Sequence, residues 1–150
     1  MATSSLQKIL LVLDAVAPSA SAISYAMGMA MQLNAKLVLA AVVDTSLLKK
    51  LSGMHFFVSD ELDDLADDLL FQVRKQSRLI SEQCEDIGVA CEILECRGRL
   101  SNAVRALQQD VKADMIVLGN WKDREHAKED SDIELRLVQE QATVPVCVVK

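Results

Sequence analysis

KILLVLDAVAPSASAISYAMGMAMQLNAKLVLAAVVDTS, residues 8–46, contains one complete crossover. Its opening, KILLVL at 8–13, is a continuous apolar run, the pattern of a parallel strand covered on both faces. The run stops at Asp14, and Pro18 and Ser19 supply a turn and a helix cap. Ile23, Ala26, Met27, Ala30 and Leu33 then recur at helical spacing up to Asn34. KLVLAAVV at 36–43 is a second buried strand, closed by Asp44-Thr45-Ser46. Two such strands joined through a helix must lie parallel.

Beyond the crossover, residues 47–58 have mixed apolar character around Gly53 and read as a connecting loop or short irregular helix. A long helix is expected from Ser59 or Asp60, with Leu62, Leu65, Leu69, Val73, Ile80, Cys84 and Ile87 along one face and a stop at Gly88. At 1.5 Å per residue it runs roughly 40 Å, more than a domain of this size ordinarily needs, and a break at 76–78 would shorten it. VACEILEC at 89–96 alternates and suits a less covered strand. A helix over 100–111 follows, with Ala103, Val104, Leu107 and Val111 on one face. DMIVLG at 114–119 reads as a fourth strand, residues 120–132 are charged, a helix carries Ile133, Leu137 and Val138, and VPVCVV at 144–149 is the last strand. Alternating strands and helices predict an α/β, doubly wound, five-stranded and mostly parallel sheet with helices on both faces. Any small-molecule site should lie outside the carboxyl ends of the strands, at Asp14, Val43-Asp44, Arg97-Gly98 and Gly119-Asn120.

Composition narrows the function. One domain is expected over residues 1–150. A net charge of −6 argues against a nucleic-acid partner, which needs clustered Lys and Arg. No stretch reads as a secretory leader or membrane span, so a cytoplasmic protein is expected. Cys84, Cys91, Cys96 and Cys147 form no CxxC pair, and His55 and His126 stand alone, so no metal site is expected. Cys91 and Cys96 should face opposite sides of one strand and remain reduced.

KILLVLD closing on Asp14, Ser19, VVD at 42–44, DMIVLG at 114–119 and the terminal PVCVV, in this order and over nearly the whole chain, resemble the universal stress protein family. The resemblance implies its adenine nucleotide alpha hydrolase-like fold. In the family's ATP-binding members the fourth strand is followed by G-x-x-G, nine residues, then G and S or T. There the glycines admit backbone N–H groups to the phosphates, and the last pair begins a helix whose amino end favours an anion. This chain keeps Gly119, but Lys122, Asp132 and Ile133 stand at the other signature positions. The resemblance is therefore to a branch without the glycine-rich signature. Asp14 matches the family's carboxylate after the first strand, and Val42 lies where strand backbone meets the base. Asp14, Val42 and Gly119 are thus the candidates for a residual nucleotide cleft. Each also has a purely structural role available: a turn, a buried strand position and a strand exit.

Other constellations are weaker. Receiver-type phosphorylation would need an acceptor Asp where Cys96-Arg97-Gly98 stands. No GxSxG or HExxH is present, and no catalytic residue is assigned. The acids Asp60, Glu61, Asp63, Asp64, Asp67 and Asp68 suit a solvated helix face, and Trp121 suits a partner contact. The expectation is a noncatalytic stress-response or regulatory protein without a cofactor. As the resemblance implies, it pairs as a homodimer through its last strand, at Val144, Val146 and Val148, and acts on a further protein partner. The alternative is a sensor of ATP, AMP or adenosine with an altered phosphate loop.

Overall fold

The computed structural model describes residues 6–16, 18–45, 59–119 and 128–150, with backbone alone at 59, 60, 62 and 128–131. His55, the 47–58 connection, and Asn120, Trp121, Lys122 and His126 lie outside the described residues. Among the described residues five strands and four helices alternate as expected: β1 Lys8–Asp14, α1 Ala20–Leu33, β2 Lys36–Val43, α2 Ser59–Asp86, β3 Cys91–Arg97, α3 Leu100–Val111, β4 Met115–Gly119, α4 Lys128–Gln141 and β5 Val146–Val149. The sheet order is β3-β2-β1-β4-β5, and every pairing is parallel.

Alternation along the central strands divides the interior into two layers. Ile9, Leu11 and Leu13 of β1 with Leu37, Leu39, Ala41 and Val43 of β2 pack beneath α1 and α2. Leu10, Val12, Val38, Ala40, Val42, Ile116 and Leu118 pack beneath α3 and α4. Asp114 fastens the amino end of β1 beside β4, because its Oδ2 accepts from the Gln7 and Lys8 N–H groups, each at 2.9 Å. The helix α1 begins as expected, with Ser19 Oγ accepting from the Ala22 N–H at 3.2 Å, and ends at Asn34 in the left-handed conformation.

Several sequence expectations shift. The helix α2 is unbroken through 76–78, where the buried Ser77 hydroxyl satisfies itself by donating to the Val73 carbonyl at 2.7 Å. Its core face runs through Ala66, Leu70, Val73, Ile80 and Cys84, while Leu65 and Leu69 flank it half-buried and Ile87 is exposed. In α4, Ile133 is exposed and the neighbouring Glu134 is buried instead. Val144 precedes β5 rather than lying in it, and both Val144 and Val146 pack partly against the α3 and α4 layer.

The two sheet edges differ in chemistry. On β3, Glu92 pairs with Lys36 at 2.8 Å, Glu95 takes a two-pronged bond from Arg74, and Arg97 reaches Asp67 at 2.9 Å. The other edge, β5, reads VCVV and carries no charge.

Candidate functional site

The site predicted from the sequence lies at the carboxyl ends of the strands, where the order turns around β1 between β2 and β4. Asp14 and Val42 come together there as register partners on β1 and β2. Asp14 is 2% exposed, and its Oδ1 accepts from the Val16 N–H at 3.1 Å, the short loop-closing bond of an Asp at a strand end. The Val42 carbonyl accepts from the Ala15 N–H at 3.0 Å, while its side chain lies in the α3 and α4 layer. Asp44, the residue just past the end of β2, is likewise 2% exposed.

Gly119 ends β4 on the far side of β1. Its φ is not in the left-handed region, since among the described glycines only Gly88 and Gly98 are. Its smallness serves a close approach instead. A Cβ at this position would stand 2.5 Å from the Ser19 Cβ and 2.8 Å from its Oγ. Gly119 is therefore the seat of the residue that caps α1, and the helix start leans on the strand exit.

The third element of the site was not legible in the sequence. Arg99 caps α3 with no side-chain bond to its backbone, which leaves the amino-terminal N–H groups seeking an acceptor. Glu134 of α4 supplies one: its Oε2 accepts from the Ser101 N–H at 2.8 Å, and its Oε1 accepts from Arg99 Nε. Burial by itself would raise this carboxyl, but the bonds from Arg99 and Ser101 outweigh burial and hold it below the ordinary carboxylate range. An internal carboxylate thus occupies an anion-favouring helix end. No sequence signal marks the pair, because Arg99 and Glu134 are 35 residues apart.

Charge continues outward from the sheet. The pairs Asp67–Arg97 and Arg74–Glu95 run α2 antiparallel to β3, so its first turns extend past the last residue of that strand. Glu61, Asp63 and Asp64 are exposed on this extension. Among the described residues no three His, Cys, Asp or Glu side chains gather as a metal site would require.

The model of the universal stress protein family matches residues 5–150. Among solved structures, the chain is similar to universal stress protein UspA from Lactobacillus plantarum, with 18% identity over 99% of this chain and 100% of that one and a TM-score of 0.74. It is also similar to a universal stress protein in complex with cAMP, with 20% identity, coverage of 97% and 98%, and a TM-score of 0.64. A third similar structure is the universal stress protein from Archaeoglobus fulgidus in complex with dAMP, with 14% identity, coverage of 96% and 98%, and a TM-score of 0.62. At these identities the likeness establishes a shared fold. No curated protein matches the chain.

Proposed function

Because the chain belongs to the universal stress protein family, we propose that it is a noncatalytic stress-response regulator that works in the cytoplasm as a homodimer through protein contacts. The observation that carries this reading is that the amino end of α3, which would favour an anion, is already filled from within by the buried Glu134 carboxylate, bonded to Arg99 and to the Ser101 N–H. The sequence adds Lys122, Asp132 and Ile133 at the positions of the phosphate-binding signature.

Pairing through β5 is supported by its position and composition. It is an edge strand with no charged residue, and an unguarded edge of this kind recruits another strand. Val146→Asp or Val148→Asp should convert the dimer to monomer in sedimentation, and an unchanged dimer mass would place the interface elsewhere. Among the described residues no helix is long and apolar enough to cross a membrane.

A second reading, an adenine-nucleotide sensor without need of the lost glycines, is favoured by the register pairing of Asp14 with Val42 and by the relatives solved with cAMP and dAMP. Acid extraction of the purified protein with mass spectrometry, followed by calorimetry with ATP, AMP and adenosine, separates the two. No bound nucleotide and no heat support the interaction module. Stoichiometric nucleotide would replace it with the sensor.

A further inference from the structure

At the opposite end of the sheet from the candidate cleft, two of the four cysteines meet. The helix α2 ends at Asp86, and Gly88, with φ of 76°, lets the Val89 N–H fold back onto the Cys84 carbonyl at 2.8 Å. The Leu37 N–H then donates to the Ala90 carbonyl at 2.8 Å, which fixes Cys91 as the first residue of β3 and the register partner of Leu37. Leu37, Cys84 and Cys91 belong to the same core layer. The Cys84 and Cys91 side chains are near enough that each shifts the titration of the other, and Ser81, one helical turn before Cys84, acts on Cys91 as well. Cys96 faces the other layer, and Cys147 lies on β5 at the far edge of the sheet. The turn has therefore selected one pair.

We propose that Cys84 and Cys91 are a redox site, closing to an intramolecular disulfide under hydrogen peroxide and reopening with a thiol reductant. Cys91 is half-buried and Cys84 fully buried, so peroxide reaches Cys91 first. The Cys91 thiolate attacks one peroxide oxygen, the O–O bond breaks, and the departing hydroxide takes a proton to leave as water. The resulting Cys91 sulfenic acid is attacked by Cys84 sulfur, its S–O bond breaks, and the oxygen leaves with the proton of Cys84 as a second water. Two thiols and one peroxide thus give one disulfide and two waters, with two electrons passing from sulfur to peroxide. Burial raises both thiols, Cys84 to about 12, although the Lys36 ammonium near Cys91 opposes this. The pair accordingly reacts slowly and records sustained rather than passing oxidant.

The test uses the unmodified protein, exposed to graded hydrogen peroxide, blocked with N-ethylmaleimide under denaturing conditions, and digested after glutamate. Cleavage at Glu85, Glu92 and Glu95 places Cys84, Cys91 and Cys96 on separate peptides, which trypsin cannot do. The expected result is a linked pair of peptides, 83–85 and 86–92, with blockable thiols falling from four to two and returning to four with dithiothreitol. Cys96→Ser should leave this linkage intact, whereas Cys84→Ser should drive Cys91 to the sulfinic acid. Four thiols still blocked after peroxide exposure many times longer than a short cysteine peptide needs to oxidise fully would overturn the proposal. A bond to Cys96, to Cys147 or to a second copy would do the same.

Discussion

Replacing Gly119 with alanine separates a packing role for this residue from a ligand-binding one. The new Cβ would stand 2.5 Å from the Ser19 Cβ, well inside the 3.5–4.0 Å at which carbon atoms rest against each other. Relief requires the cap of α1 to retreat by about 1 Å, and overpacking of this kind costs about 1–3 kcal/mol. Ser19→Gly removes both close atoms and leaves the Ser19 Cα as the nearest neighbour, at 4.0 Å. As a cap substitution it costs only a few tenths of a kcal/mol, roughly, because glycine is tolerated at that position. In the Ser19→Gly background, Gly119→Ala should therefore be neutral or stabilising, since alanine in a strand gains about 0.5–1 kcal/mol over glycine. A coupling of about 1–3 kcal/mol follows for the double-mutant cycle. Urea unfolding followed by circular dichroism, at one fixed protein concentration and with unchanged denaturant slopes, measures it. Equal costs for Gly119→Ala in the two backgrounds would refute the contact with Ser19 as the reason for glycine.

Glu134→Gln should destabilise the protein by about 1–3 kcal/mol at neutral pH, because an amide cannot serve Arg99 and Ser101 together. The folded-state pKa of Glu134 lies below its unfolded value, so its contribution is complete above the unfolded pKa and fades as pH falls through the folded one. The gap between wild type and variant in urea midpoint should therefore close in acid; a gap independent of pH would speak against the carboxylate. Leu70→Ala should cost about 2–5 kcal/mol, Leu69→Ala distinctly less, and Phe71→Ala, at a position 71% exposed, almost nothing. Equal losses at Leu69 and Leu70 in the same unfolding assay would mean that α2 is rotated from the orientation described.

The strands were legible because burial on both faces leaves an unbroken apolar run, as at residues 8–13 and 36–43, and the alternation after Val89 gave away the exposed edge. Helix faces were less legible. In α2 the apolar residues are wide enough in distribution to permit two neighbouring faces, and small Ala66 and polar Ser77, both on the true face, carry no hydropathy signal. The residues of the candidate cleft were found through motif order, but their surroundings were not. That Ser19 fills the space beside Gly119, that Glu134 rather than Ile133 turns inward, and that Cys84 and Cys91 share one core layer are all consequences of packing between separate elements.

The unlike rims of the sheet bear on how large an assembly this chain can build. Along β3 the charged side chains are held in ion pairs that bracket the strand, and an incoming strand would have to disturb them or lie against them. Only the β5 rim accepts a neighbour without that cost. If two copies join there by a two-fold axis, each uses up its one permissive rim on the other, and both outer margins of the doubled sheet are guarded. Growth then halts at the pair however concentrated the protein becomes, so that abundance during stress would raise the number of finished units rather than their length.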